Sequence, residues 1–333
     1  MHARCFAPVR PARLSSRGVR RCVKSSASSL AAALPPLPPP WKELENATVV
    51  ATYHTLQDGA RLEVLSAYPS APSSRPPLLF VHGSFHAAWC WRAFLAFFAA
   101  RGFAAHALSL RGHGASDAPP LGGVAGTLAS HAADVLSVAA SLPSPPLLVG
   151  HSFGGLIVQR CALENTAWPG IAMMCSVPPS GNGAMASRML FATPLAALRV
   201  TYAMVSRSFE RSVTDCRALF FSSGSGGLSD DEVAALSVQM AASGRVRMLD
   251  LSKLGAELPV APPPLGLRAF VLGAEEDAIV DAQGLRETAA QVGVSPAVIK
   301  RIGHDVMLDA RWREAAEALR AFAETLGTED ANQ

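Results

Sequence analysis

Gly150-His151-Ser152-Phe153-Gly154 places a serine between two glycines, after the apolar run Leu147, Leu148, Val149 and before a second one, Leu156, Ile157, Val158. The pattern predicts a buried strand turning sharply into a helix, with the serine at the corner in cramped φ/ψ angles. Gly150 and Gly154 lack the Cβ atoms that would collide where strand and helix approach so closely. A hydroxyl lifted out of that corner can attack a carbonyl carbon. The Phe153 N–H, at a helix N-terminus, is aimed at the negative charge that then develops. Serine is a poor nucleophile until a base takes its proton, and the base needs an acid to hold it. His304 is the only histidine after Ser152. It lies in 300–308, where a short apolar strand is expected to end in a loop before a C-terminal helix. Between the two, the strand pattern 267–273 leads into Glu275, Glu276 and Asp277.

The corner resembles the nucleophile elbow of the α/β-hydrolase family, and the resemblance spans roughly residues 46–326. In that family the acid and then the histidine follow the serine along the chain. Members commonly carry a glycine, a few small or acidic residues, then the catalytic aspartate before a small residue and an Ile-Val pair. Gly273, Asp277, Ala278, Ile279 and Val280 match that run. The resemblance therefore implies Asp277 as the acid, with Glu276 as fallback and Glu275 as a solvated neighbour. Some relatives place the acid one strand earlier, but 176–183 holds no carboxylate. The implied general base is His304, its Nδ1 proton held by Asp277. The family takes its second oxyanion-hole N–H from the loop after the third strand, here His82-Gly83-Ser84-Phe85 behind the apolar run 77–81. That implies Ser84 and Phe153 as the donors, with Phe85 as the alternative to Ser84. His82 reads as a structural turn residue. His86, Trp89 and Trp91 extend the loop into a His-Gly-x-x-His-x-x-Trp-x-Trp pattern. This is similar to the plant methyl-esterase and hydroxynitrile-lyase branch. Phe85 and Trp89 are accordingly expected at the substrate, though the tryptophans fit packing between first helix and sheet equally well. After the strand pattern 103–110, Arg111-Gly112-His113-Gly114 is a further family hallmark. Relatives usually begin it with an aspartate where this chain has Ser109, which leaves the bracing of that loop open.

The elements needed to position these residues are legible along the chain. Residues 48–53 and 60–65, joined through Asp58-Gly59, read as an opening antiparallel hairpin. Strands near 78, 104, 147, 171 and 269 alternate with helical patterns. The expected fold is α/β, a mostly parallel, doubly wound sheet with a helical cap inserted before the acid-bearing strand. The cap is expected at 182–262, where Met185, Met189, Met204 and Met240 suit an adaptable apolar pocket. Within it, Ser229 and Glu232 form a capping pattern for a helix over 233–242. Trp312 to Thr325 has apolar residues at helical spacing and reads as a closing helix. The expected organisation is a leader and Pro-rich linker at 1–42, hydrolase core at 43–181 and 263–327, the cap between them, and a tail at 328–333.

The net charge of +3 over 333 residues belongs to one end of the chain. Residues 1–42 hold 8 Lys/Arg and no acid; the rest has 21 basic and 26 acidic residues, a net of −5. Nothing in the folded body therefore favours nucleic acid. The leader is Arg- and Ser-rich and acid-free, the composition of an organelle transit peptide. A chloroplast address is expected from the plant-like resemblance, with the mitochondrion as alternative. No clean apolar span suggests a transmembrane segment. Six cysteines without a C-x-x-C, no metal-ligand spacing and no G-x-G-x-x-G after a strand point to an enzyme needing no cofactor or metal. The expected reaction is hydrolysis of a small-molecule carboxylic ester, with an apolar acyl or small alkyl group, through an acyl-enzyme. Serine at the elbow excludes the epoxide-hydrolase and dehalogenase chemistries of this fold, which need a carboxylate there. A small-molecule receptor or a lyase using the same residues is the alternative. Lipase, thioesterase and acyltransferase chemistry and the oligomeric state stay open.

Overall fold

Apolar, β-compatible runs become the strands of an eight-stranded sheet in a computed structural model that describes residues 48–119, 123–164, 167–244 and 246–326. The expectations for the leader at 1–42 and the tail at 328–333 lie outside the described residues. β1 (Val50–Thr55) and β2 (Arg61–Ala67) form the opening antiparallel hairpin. Gly59 turns it at φ 87°, a conformation glycine adopts without a Cβ penalty, and the Asp58 carboxylate accepts the Ala60 N–H. β3 (Leu78–Val81) and β4 (Ala105–Leu108) follow, then β5 (Val124–Gly126), β6 (Leu147–His151) and β7 (Ile171–Met174). β8 (Arg247–Leu249), β9 (Ala269–Ala274) and β10 (Ala297–Ile299) complete the set. The sheet order is β1-β2-β4-β3-β6-β7-β9-β10, with β2 antiparallel to both neighbours and the other pairs parallel. β5 and β8 form a separate two-stranded parallel sheet, an element that the sequence pattern does not announce.

The helices are α1 (Arg92–Ala99), α2 (Leu128–Ala140), α3 (Phe153–Cys161), α4 (Gly183–Ala192), α5 (Pro194–Ser206), α6 (Val213–Phe220), α7 (Asp230–Ser243), α8 (Leu251–Leu254), α9 (Ala282–Gln291) and α10 (Trp312–Thr325). Side chains of the central strands alternate between two cores, as a period of two requires. Leu78, Phe80 and Val149 pack with α1 and α10, whereas Leu79, Val81 and Leu148 pack with α2, α3 and α9. Both faces are covered, so these strands are apolar throughout rather than alternating. Helices α4 to α8 all fall between β7 and β9. Ser229 and Glu232 make the reciprocal capping box that starts α7.

One local reading is corrected, and the bracing at Ser109 is settled. The strand leading to His304 is β10, ending at Ile299, because Arg301 takes φ 54° and turns the chain before the apolar stretch first read as strand. The carboxylate missing at position 109 is supplied from β2. Ser109 Oγ donates to Glu63 Oε2 at 2.6 Å and accepts the Ala88 N–H at 2.9 Å, while Glu63 also accepts the Ala115 N–H.

The sheet order sets where a site can form. From β3 the chain moves to β4 on one side and then returns to β6 on the other. The loops leaving the carboxyl ends of β3 and β6 therefore part in opposite directions, opening a crevice between them.

Candidate active site

Ser152 stands at that crevice, between β6 and α3, with φ 54° and ψ −124°. Non-glycine residues rarely adopt such angles, and packing on every side holds this one. A Cβ on Gly150 would lie 2.3 Å from the Gly154 carbonyl oxygen, and one on Gly154 would lie 2.4 Å from that of Val81. The opposing loop is equally close: a Cβ on Gly83 would approach Ser152 Cβ to 2.8 Å. Small residues here let the two loops touch, which brings Ser84 and Ser152 to one cavity of about 310 Å³.

His304 and Asp277 arrive on the loops after β10 and β9. His304 Nδ1 is 2.9 Å from each Asp277 carboxylate oxygen, and Oδ1 also accepts the Ile279 and Val280 N–H groups at 2.8 Å. Burial disfavours a charged imidazole at 304. The Asp277 charge and hydrogen bond, helped by Asp305, outweigh that and raise its pKa above the ordinary value. Ser152 and His304 line the same cavity, with no hydrogen bond between hydroxyl and ring among the described residues. Glu276, the fallback acid, points elsewhere and accepts from Ser223 N–H and Oγ–H.

Ser84, Phe85 and Phe153 also line the cavity. The N–H groups of Ser84 and Phe153 have no protein acceptor among the described residues. Phe153 opens α3, where an N–H has no intrahelical partner. His82 is a bracket between loops: Nδ1–H donates to the Gly83 carbonyl and Nε2 accepts the Leu110 N–H. Trp89 is a correction. It does not line the cavity; its indole N–H donates to Ser243 Oγ at 2.6 Å, and it packs against the core. Trp91 is wholly buried against Phe80 and Phe94. Of the four methionines, Met185, Met189 and Met204 line the cavity, while Met240 is buried in the core.

The structure adds a cluster that the sequence reading passed over. His86 Nε2 is 2.9 Å from Asp305 Oδ2, and His86 Nδ1 is 2.8 Å from the Ser84 carbonyl oxygen. Both oxygens are acceptors, so the His86–Asp305 pair must hold a proton beyond the one His86 gives to Ser84. Burial alone would raise the Asp305 pKa, but the charge and hydrogen bond of His86, with His151 and His304 beyond, bring it below the ordinary value. The pair ties the loop after β10 to the loop after β3 and fixes the Ser84–Phe85 peptide, where Phe85 sits at φ 68°. His151 Nε2–H donates to the His304 carbonyl at 3.0 Å. Burial, reinforced by the His304 charge, pushes the His151 pKa down to about 3, so that ring stays neutral. The available signals were slight: an aspartate directly after His304, a histidine directly before Ser152 and the second histidine of the loop after β3.

Two trios, His151 with His304 and Asp305 and Cys175 with Asp277 and His304, bring ligand-type atoms within 4.8 Å of one another. His304 Nδ1 is held by Asp277 and His151 Nε2 by the His304 carbonyl, so both trios belong to one hydrogen-bonded network.

Comparison with known proteins agrees with this layout. The sequence model described as "Alpha/beta hydrolase family" matches residues 78–318. Protein phosphatase methylesterase 1 of Mus musculus is 30% identical over 152 residues, 42% of this chain and 36% of that protein. Esterase PIR7B of Oryza sativa subsp. japonica is 37% identical over 89 residues, 26% of this chain and 32% of that protein. The chain thus spans about a third of the length of these curated relatives. Among solved structures, an esterase from Exiguobacterium antarcticum superposes with a TM-score of 0.63 at 15% identity, covering 83% of this chain and 100% of that one. The 2-hydroxy-6-oxo-6-phenylhexa-2,4-dienoate hydrolase of Rhodococcus sp. strain RHA1 gives 0.62 at 19% identity, with 84% and 99% covered. At such identities the likeness is one of fold.

Proposed function

This chain belongs to the alpha/beta hydrolase family, and on that premise we propose that it is a serine hydrolase cleaving carboxylic esters with an apolar acyl or small alkyl group. The observation that carries the proposal is His304, held at Nδ1 by Asp277 while its ring shares one cavity with Ser152 and with Ser84 and Phe153, whose N–H groups have no protein acceptor among the described residues. In the proposed reaction, Ser152 Oγ attacks the ester carbonyl as His304 Nε2 takes its proton, the hydrogen bond between them closing once substrate is seated. The Ser84 and Phe153 N–H groups hold the oxyanion, each such donor being worth about 3 kcal/mol at the transition state. Asp277 keeps the tautomer and stabilises the imidazolium without taking the proton. His304 then protonates the leaving alcohol, and a water activated by the same ring releases the acid. The apolar wall of Met185, Met189, Met204, Val200 and Ile279 supports an apolar acyl or alkyl group. The two curated relatives are themselves named as esterases.

The test is labelling and turnover. A fluorophosphonate should label the protein at Ser152, Ser152→Ala should abolish the label, and the native chain should turn over p-nitrophenyl butyrate repeatedly. Tight small-molecule binding with no turnover would replace this reading with a receptor of the same fold.

A further inference from the structure

The cap presents its least expected surface on α4 and α5. Leu190, Phe191, Leu195, Leu198, Tyr202 and Val205 are exposed there, Phe191 to 87% and Leu195 to 82%. Within these two helices only Met185, Ala197 and Ala203 are buried. No aspartate or glutamate occurs from 183 to 209, while Arg188 and Arg199 sit on the hairpin and Arg207 and Arg211 follow it. Asp281, Asp215 and Glu210, which pair with Arg188, Arg199 and Arg207, come from outside the hairpin. An apolar helical face whose own charged side chains are all cationic has the composition of a segment lying in the headgroup region of an anionic membrane. No described helix is long and apolar enough to cross one.

The cavity says what covers this face. Ala186, Thr201 and Val205 are exposed and also line the cavity over Ser152, so its mouth opens between α4 and α5. A protein seated on these helices would stop the entrance. A bilayer would lead acyl chains into an apolar passage ending at the serine. We propose that the α4–α5 hairpin docks on an anionic lipid bilayer and that the esters hydrolysed are membrane-borne acyl esters drawn in between the two helices. The inference rests on the hydrolase reading for its substrate and on the exposed hairpin for its partner.

Flotation of the full chain with vesicles tests it. One set contains phosphatidylcholine alone, the other equal parts phosphatidylcholine and phosphatidylglycerol carrying a long-chain acyl ester. The protein should float with the anionic set, less so at high salt, since charge attraction is screened over about 10 Å at 0.1 M. Phe191→Asp combined with Leu195→Glu, neither of which lines the cavity, should cut flotation and hydrolysis of the vesicle-borne ester at least about tenfold. Turnover of soluble p-nitrophenyl butyrate by that variant should be unchanged, which also reports that it folds. Absence of flotation, or flotation and vesicle-ester hydrolysis that survive the double substitution, would overturn the proposal. So would a dimer in light scattering that the substitutions dissociate, which would assign the face to a second copy. Failure of the hydrolase reading shows separately, as absence of soluble-ester turnover by the unaltered chain.

Discussion

The floor of the cavity and the hairpin above it are built on opposite terms. Around Ser152, glycines at 83, 150 and 154 leave no room for a methyl group, and His82, His86, His151 and His304 each hold a defined hydrogen bond. In α4 and α5, most side chains face outward and few polar contacts tie the helices down. A floor so constrained suits the proposed reaction, whose transition state needs its groups at fixed distances. A loosely tied hairpin can adjust to what enters, and that is where selectivity between substrates belongs. Changes in the floor should then penalise every ester alike, and changes in the hairpin should re-sort esters.

The largest effect is expected for Asp277→Asn, a loss of ~10⁴-fold in kcat on all esters, because the amide no longer holds the productive tautomer of His304. Steady-state assays on a short and a long ester check it, and a loss of less than about tenfold would move the acid to another residue. Next comes His86→Ala, which frees the Ser84 carbonyl and strands the buried Asp305. A fall of ~10²-fold in kcat with little change in KM is expected if the pair aligns an oxyanion donor. A rise in KM alone would mean that it merely shapes the pocket.

Smaller is the effect of charge on pH dependence. In the proposed reaction His304 must be neutral to accept the serine proton, and its pKa is raised above 6.5. The kcat/KM profile should therefore fall as pH drops through a value above 6.5. Asp305→Asn removes one of the charges responsible, so this acid limb should move to lower pH. The same raised pKa makes the folded state the tighter proton binder. Its contribution to stability is full below the unfolded value and is lost as pH rises through the folded one. The smallest effect belongs to the hairpin: Met204→Ala should alter the ratio of long- to short-chain ester turnover by less than about tenfold, with the pH profile unmoved. An equal loss on every ester would erase the contrast between floor and hairpin.

How much was legible follows the range of the forces involved. The elbow is a steric pattern of five adjacent residues, and adjacent residues carry it whole. The match of 273–280 to the family's run pointed to Asp277, His304 was the one histidine after Ser152, and the fold sets their side chains 2.9 Å apart. The His86–Asp305 pair could not, since its members lie 219 positions apart and each has a bland neighbourhood. Trp89 shows the converse. Its place in a known motif suggested substrate contact, yet Ser243 on α7 takes its N–H and turns it to packing. At Ser109 an apparent defect in the loop was none, because Glu63 on another strand supplies the carboxylate. The apolar content of 182–206 was visible as a cap with an apolar pocket, but which side chains face the cavity and which face outward was not.

By itself the sequence determined the residue types able to do acyl transfer, the alternation of strand and helix, and the corner at Ser152, since periodicity and missing Cβ atoms act between near neighbours. Tertiary structure decided which carboxylate meets which imidazole, and which face of α4–α5 is left uncovered. Those outcomes depend on the carboxyl ends of β3, β6, β9 and β10 being laid side by side. Distances set by such crossings are not encoded in any single stretch of chain.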